Sequence, residues 1–190
     1  MKEFEKEISV VILAGGEGRR MGGQDKGLIP YHGRPLIEHV LEAVPAQVAA
    51  LLVSANRNLE TYRQYGQVIC DEAPGYAGPL AGILAALHNA HTPYLLVLPC
   101  DTPKLPRDLL SKLYTALSDQ KADIAIANNA GRRHHVIVLL KTSLADDLQE
   151  YLAGGERRVG DWLKRHKFVD VLFEGDGEYF ANINQPDLLQ

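Results

Sequence analysis

Val11-Ile12-Leu13-Ala14-Gly15-Gly16-Glu17-Gly18-Arg19-Arg20-Met21-Gly22-Gly23, closing at Asp25-Lys26, decides how this chain is read. Ile8 to Leu13 is a β-branched apolar run that stops at glycine, the pattern of a buried strand. Four glycines within eight residues (Gly15, Gly16, Gly18 and Gly22) let the backbone take positive φ and crowd against a ligand. The N–H groups exposed in such a turn form an anion-binding concavity, and Arg19, Arg20 and Lys26 add positive charge around it. Together these features suit a nucleoside triphosphate. A plain strand-to-helix turn with solvated arginines has no need of so many glycines.

Two familiar phosphate loops are excluded. No glycine pair leads into Lys-Ser or Lys-Thr, as a P-loop requires. The dinucleotide fingerprint starts at Gly16-Glu17-Gly18 but meets Met21 where the third glycine belongs, and the next strand ends in Ser54-Ala55-Asn56 without an acid for a ribose diol. The stretch instead resembles the L-A-G-G-x-G-x-R-M-G…D-K-G signature of nucleotidyltransferases.

The 190 residues suit one domain, 1–190, with room for a proper core. A net charge of −4 argues against a nonspecific nucleic-acid partner, so phosphate binding must come from local clusters. The charged start, Met1 to Glu7, does not suit a signal peptide, and no apolar run approaches membrane-spanning length. Cys70 and Cys100 read as free thiols, and the expected location is the cytoplasm, with no membrane partner.

Further along, Gly33-Arg34-Pro35 reads as a turn and Leu36 to Val44 as a helix ending at Pro45. Ala50 to Ala55 and Val68 to Cys70 read as strands, with a short helix over 59–65 between them. Pro79 opens a helix. Tyr94 to Leu98 is the most apolar run and must be a central strand. Arg107 to Leu117, Leu144 to Leu152 and Val159 to His166 read as helices; Ile124 to Ala127, Val136 to Leu140 and Val169 to Phe173 read as strands. This alternation predicts an α/β fold with a doubly wound, mainly parallel sheet. Ligands then gather beyond the carboxyl ends of the strands, where the glycine loop, Ser54-Ala55-Asn56, Asp71 and Asp101 all fall.

Asp101 can hold a magnesium ion jointly with substrate phosphates, or cap the helix that follows it. Asp71 can accept hydrogen bonds from ribose or base, or simply end a turn. Gly78-Pro79-Leu80-Ala81-Gly82 can set open backbone against a base. Arg132-Arg133-His134-His135 and Glu156-Arg157-Arg158 are candidate anion sites or solvated surface, and Lys164-Arg165-His166-Lys167 complements a helix dipole. No triad for nucleophilic catalysis and no zinc-ligand spacing stands out. That fits nucleotidyl transfer, in which positioning and charge neutralisation replace covalent chemistry.

At this point the chain resembles the molybdenum cofactor guanylyltransferases. The match runs from Leu13-Ala14-Gly15-Gly16, Arg19-Arg20-Met21-Gly22 and Asp25-Lys26-Gly27 through Ala55-Asn56-Arg57, Asp71, Gly78 to Gly82 and Pro99 to Pro103. It ends in Gly155-Glu156-Arg157-Arg158 and Asn182-Ile183-Asn184-Gln185-Pro186. The resemblance implies a Rossmann-like fold and transfer of GMP from Mg-GTP to the terminal phosphate of molybdopterin. It implies a nucleotide site of Leu13, Ala14, Gly15, Gly16, Gly18, Arg20, Lys26, Ser54, Asp71, Gly78, Pro79, Leu80 and Asp101. Lys26, Asp101 and Arg19 would be catalytic, with Asp101 holding Mg2+. Arg157, Arg158, His134, Asn182 and Asn184 would meet the acceptor. Cofactor carrier and insertion proteins would be partners, and a monomer is expected. Two departures stand out: Ser54 replaces the first residue of the family's Asn-Ala-Asn, and His135 the proline of its Arg-x-His-Pro. Alternatives are a nucleotidyltransferase acting on a sugar phosphate, a cytidylyltransferase acting on molybdopterin, and a non-catalytic GTP-binding carrier.

Overall fold

The structure, a computed structural model, describes residues 3–15, 25–71, 78–174 and 179–183. Seven strands form one sheet in the order β5-β4-β1-β6-β8-β7-β9. They are β1 (Ile8–Leu13), β4 (Ala50–Ser54), β5 (Gln67–Ile69), β6 (Tyr94–Pro99), β7 (Ile124–Asn129), β8 (Arg132–Lys141) and β9 (Phe168–Leu172). β2 (Pro30–Tyr31) and β3 (Arg34–Pro35) make a separate two-stranded hairpin. The helices are α1 (Leu36–Leu41), α2 (Leu59–Tyr62), α3 (Pro79–Asn89), α4 (Leu109–Asp119), α5 (Ala145–Ala153) and α6 (Val159–Leu163).

β1 shows why the sheet is wound on both faces. Ile8, Val10 and Ile12 point into a core shared with Ile37 and Val40 of α1 and Leu109, Leu113 and Leu117 of α4. Val11 points the other way, toward Ile83 and Leu87 of α3, Leu148 and Leu152 of α5 and Trp162 of α6. β6 divides likewise, with Leu96 and Leu98 on one face and Leu95 and Val97 on the other, all fully buried. A strand covered on both faces has little room for polar side chains, so its sequence is almost wholly apolar; the exception in β1, Ser9, is buried with its hydroxyl bonded to Thr92.

The chain runs β1 to β4 to β5 in one direction, then returns to β6 on the other side of β1. The carboxyl ends of β1 and β6 therefore flank the switch point at which a ligand crevice opens. β8 runs antiparallel to both of its neighbours, and β9 rejoins parallel to β7. This reversal brings the start of β8 to the same edge as the end of β6.

The expected α/β sheet is present; several boundaries differ. Between the strands expected at Ile124 to Ala127 and Val136 to Leu140 only Ala130-Gly131 forms the turn, both at positive φ (50° and 79°), so β7 and β8 are longer than their apolar cores. A two-residue turn of this hand matches strand twist, which extends the ladder into polar sequence. The earlier turn is likewise His32-Gly33, not Gly33 to Pro35. The helix expected from Leu36 to Val44 ends at Leu41, that over 59–65 at Tyr62, and that over 159–166 at Leu163. Cys70 is exposed and Cys100 buried, and both are free thiols. Among the described residues no helix is long and apolar enough to cross a membrane.

Candidate active site

The ladder carries on past the end of β1: Ala14 N donates to Ser54 O at 2.8 Å and Cys100 N to Leu13 O at 3.2 Å. Three strand ends are thereby fixed against one another where Gly15 begins the glycine loop. Beyond β6, Asp101 stands at the crevice with its side chain 13% exposed. Lys26, at the start of a 3-10 turn over Lys26–Leu28, donates from Nζ to Asp101 Oδ2 at 3.1 Å. A lysine and a carboxylate facing one another across a switch point can divide the charge of a polyphosphate, the lysine taking phosphate oxygens and the carboxylate a cation.

A second polar group of the crevice is built at β4 and β5. Asn56 Nδ2 donates to Asp71 Oδ2 at 2.9 Å, and Asp71 N donates to Asn56 Oδ1 at 3.2 Å, a reciprocal pair that ties the two strand ends together. Gly15 lies against this pair: a Cβ there would be 3.5 Å from Asn56 Nδ2. α3 begins at Gly78, with φ 111°, and Pro79 occupies its first turn. Leu80 and Ser54 are both buried, and a Cβ on Gly82 would collide with Ser54 Oγ. Ser54 therefore fills the space that glycine leaves at the start of α3, and Leu80 belongs to the core.

The sequence did not single out Asp25, the residue that anchors this region. It is 8% exposed and accepts hydrogen bonds from Tyr62 Oη and, at 3.1 Å, from Asn58 Nδ2, with Arg57 Nε 3.6 Å away. Its place between the glycines and Lys26 was the available signal. Its partners, more than thirty residues on, were not readable.

On the other side of Asp101 the chain's closing segment lies across the crevice edge. Ile183 N donates to Asp101 O at 2.8 Å, Thr102 Oγ1 to Asn182 Oδ1 at 2.8 Å, and Phe180 N to Lys104 O at 3.2 Å. The ring of His134 lies 4.8 Å from that of Phe180. Burial, with the Arg132 charge, holds the His134 pKa below its ordinary value. His135 packs on Gly160 of α6, and burial lowers its pKa too. Asn182 and His134 thus come to the Asp101 edge.

The arginines divide. Arg133 makes a two-pronged pair with Asp170 of β9, at 2.7 Å through each nitrogen, and lies over the Phe168 ring. This bond, more than any other contact, pulls the Asp170 carboxyl pKa down. Arg157 Nη1 donates to the carbonyls of Leu152 (2.8 Å) and Glu156 (2.6 Å), closing the end of α5. Arg158 is 86% exposed and only 3.9 Å from Asp161. Gly16, Gly18, Arg19, Arg20 and Asn184 lie outside the described residues.

Among the described residues no cluster of three or more His, Cys, Asp or Glu could hold a metal by itself. The donor set fits a hard divalent cation bound by one carboxylate, Asp101, and completed by phosphate oxygens, the usual habit of magnesium.

Residues 10–170 match the family model of the MobA-like NTP transferase domain. The molybdenum cofactor guanylyltransferase of Shewanella halifaxensis is 42% identical over 185 residues, 97% of this chain and 92% of that protein. Its namesake from Shewanella amazonensis is 43% identical over 184 residues, 96% of this chain and 94% of the relative. A solved structure, molybdopterin-guanine dinucleotide biosynthesis protein A from Archaeoglobus fulgidus, superposes with a TM-score of 0.76 at 28% identity, covering 95% of this chain and 94% of the other.

Proposed function

Since the chain belongs to the MobA-like NTP transferase family and is a nucleotidyltransferase, we propose that it transfers GMP from Mg-GTP to the terminal phosphate of molybdopterin, releasing pyrophosphate. The observation that carries the reading is the Lys26–Asp101 pair at the switch point between β1 and β6, with Asn56 and Asp71 at one end and the Asn182 segment at the other. An acceptor-phosphate oxygen forms its bond to the α-phosphorus of GTP as the bond to the β-phosphate bridge breaks, and pyrophosphate carries the electron pair away. Lys26 donates to the phosphate oxygens on which charge accumulates. Asp101 would hold Mg2+, which would supply the charge neutralisation that lets two anions approach. The Gly15 backbone, the Asn56–Asp71 pair and the turn at Gly78 to Leu80 receive ribose and guanine. Arg19 and Arg20, outside the described residues, are assigned to the phosphates on the sequence pattern alone.

The acceptor takes the other side of Asp101. Arg158, at the start of α6, supplies the exposed guanidinium fork that a phosphate matches, while His134 and Asn182 are the acceptor candidates that come to the Asp101 edge, with Asn184 two residues on in sequence. Arg157, already bonded to the end of α5, holds that corner in shape. We further propose that the reaction takes place in the cytoplasm and that cofactor carrier and insertion proteins receive the product. The test is pyrophosphate release from each Mg-nucleoside triphosphate in the presence of molybdopterin. Release is expected with GTP and molybdopterin together and with no other triphosphate; equal release with CTP or ATP, or with GTP and no acceptor, counts against the reading.

A further inference from the structure

Lys26 can serve phosphate only while its ammonium stays opposite Asp101, yet a lysine stem is long and flexible. The restraint must come from the backbone it grows on, and the structure places an anchor one residue earlier. The Asp25 carboxylate is almost wholly buried, and burying a charge is costly unless it is paired and hydrogen-bonded. Three groups from one stretch of chain meet it: Tyr62 Oη on one oxygen, and Asn58 Nδ2 (3.1 Å) and Arg57 Nε (3.6 Å) on the other. Asn58 takes left-handed geometry, φ 51° and ψ 35°, at the start of α2. Tyr62 is fully buried, and burial together with the Asp25 bond drives its phenol pKa up, so the hydroxyl keeps its proton for donation.

Gly27 completes the arrangement. A Cβ there would stand 2.6 Å from Tyr62 Oη and 3.3 Å from Cys100 Cβ, so any side chain would push the hydroxyl away from Asp25. The three residues divide the labour: Asp25 is held, Lys26 reaches out, and Gly27 gives clearance.

We infer that Asp25 and Tyr62 are positioning residues for Lys26, forming a buried strut that fixes its ammonium against Asp101 and the nucleotide's phosphates. Through Arg57 and Asn58 the same strut ties the phosphate end of the crevice to the end of β4, where Asn56 meets Asp71. The inference rests on the reading of Lys26 as a phosphate donor.

Tyr62→Phe removes one hydroxyl and keeps the ring. The expected result is an unchanged far-ultraviolet circular dichroism spectrum, a kcat about tenfold lower and a KM for GTP within about twofold. In a Lys26→Ala background the same change should lower kcat no further, because what it positions is gone. An unaltered kcat in Tyr62→Phe, or a full additional loss in the double variant, overturns the inference. A second measurement needs no turnover: acylation of the free protein by an amine-reactive ester, followed by mass spectrometry. Lys26 should label several-fold faster in Tyr62→Phe and in the isosteric Asp25→Asn than in wild type, while exposed Lys112 labels at the same rate. Equal Lys26 rates refute the strut. Absence of pyrophosphate release by the wild-type enzyme with GTP and molybdopterin would instead sink the functional reading and leave the labelling result standing.

Discussion

The two halves of the crevice use charge in opposite ways. On the β1–β4–β5–β6 side, Lys26, Asp101, Asn56 and Asp71 bond one another across the space a ligand would enter, so their partners are one another. On the β8–β7–β9 side, most of the charge is spent on architecture: Arg133 on Asp170, Arg157 on the end of α5, and Asp147 on Trp162 and Arg165. Arg158, 86% exposed, stands out into solvent instead. A parallel sheet collects its strand ends at one edge, so polar residues there converge. The antiparallel β8 spreads its polar residues along a long hairpin, where the neighbouring strands claim them. Clustered basic residues in sequence therefore mean less in the second half than in the first.

The sharpest way to break the comparison is Asp101→Asn. A neutral amide binds a hard cation poorly, and turnover should fall by about 10²–10³-fold with the fold intact, measured as pyrophosphate release beside circular dichroism. Near-normal turnover with magnesium still required would remove Asp101 from the metal. Next comes Gly82→Ala. Its Cβ must displace Ser54 and lies 3.1 Å from Leu13 Cδ2, so overpacking should outweigh the gain in helix propensity and cost about 1–2 kcal/mol in urea unfolding. An unchanged midpoint would mean that α3 shifts freely.

Arg158→Ala should raise the molybdopterin KM about tenfold, the effect of losing one phosphate contact, while GTP affinity by calorimetry holds. Arg133→Met, by contrast, should leave both constants alone and lower stability by about 1 kcal/mol, since its pair with Asp170 is partly solvated. Reversal of these two outcomes would invert the division between working and structural arginines. The smallest effect concerns His134 and His135. Both have folded pKa values depressed by burial, so the unfolded chain takes up protons first. Their contribution is intact above about pH 6.5 and is lost as pH falls through that value toward the folded ones. Urea midpoints should drop between pH 7.5 and 5.5, and less so in His134→Gln. A flat profile would show that neither ring is held neutral.

These contrasts explain what could be read in advance. Ile8 to Leu13 and Tyr94 to Leu98 announced buried strands, because burial on both faces leaves a run that is apolar apart from Ser9. Gly78 announced backbone that needs freedom, and its φ of 111° uses it; Gly15, expected to do the same, does not take positive φ, and a Cβ there would make ordinary contact with Asn56 Nδ2 at 3.5 Å. Asp101 was legible because a carboxylate after such a strand has few other places to go. The Asp25 network was not, since its donors, Asn58 and Tyr62, are common residues whose meeting with Asp25 is set only by how α2 folds back. Ser54 invited a reading as a base contact. The structure gives it a packing partner in Gly82, a meeting between β4 and α3 that no local pattern encodes. Arg133 and Arg157 looked alike in sequence, and only the β7–β9 pairing and the end of α5 told them what to bind.

The direction of β8 also bears on how the molecule assembles. β7 and β8 are joined by two residues and can zip locally, whereas Lys26 and Asp101 are 75 residues apart in sequence, and β1 must await β6 for its second neighbour. Loops of that length close late, after local pairings have formed. On a ribosome Lys26 emerges first yet gains its partner Asp101 only once β6 has followed. The architectural half then sets quickly, and the crevice is the last thing to become whole. Pulsed hydrogen exchange should protect β7 and β8 amides before those of β1, and the opposite order would refute this sequence of events.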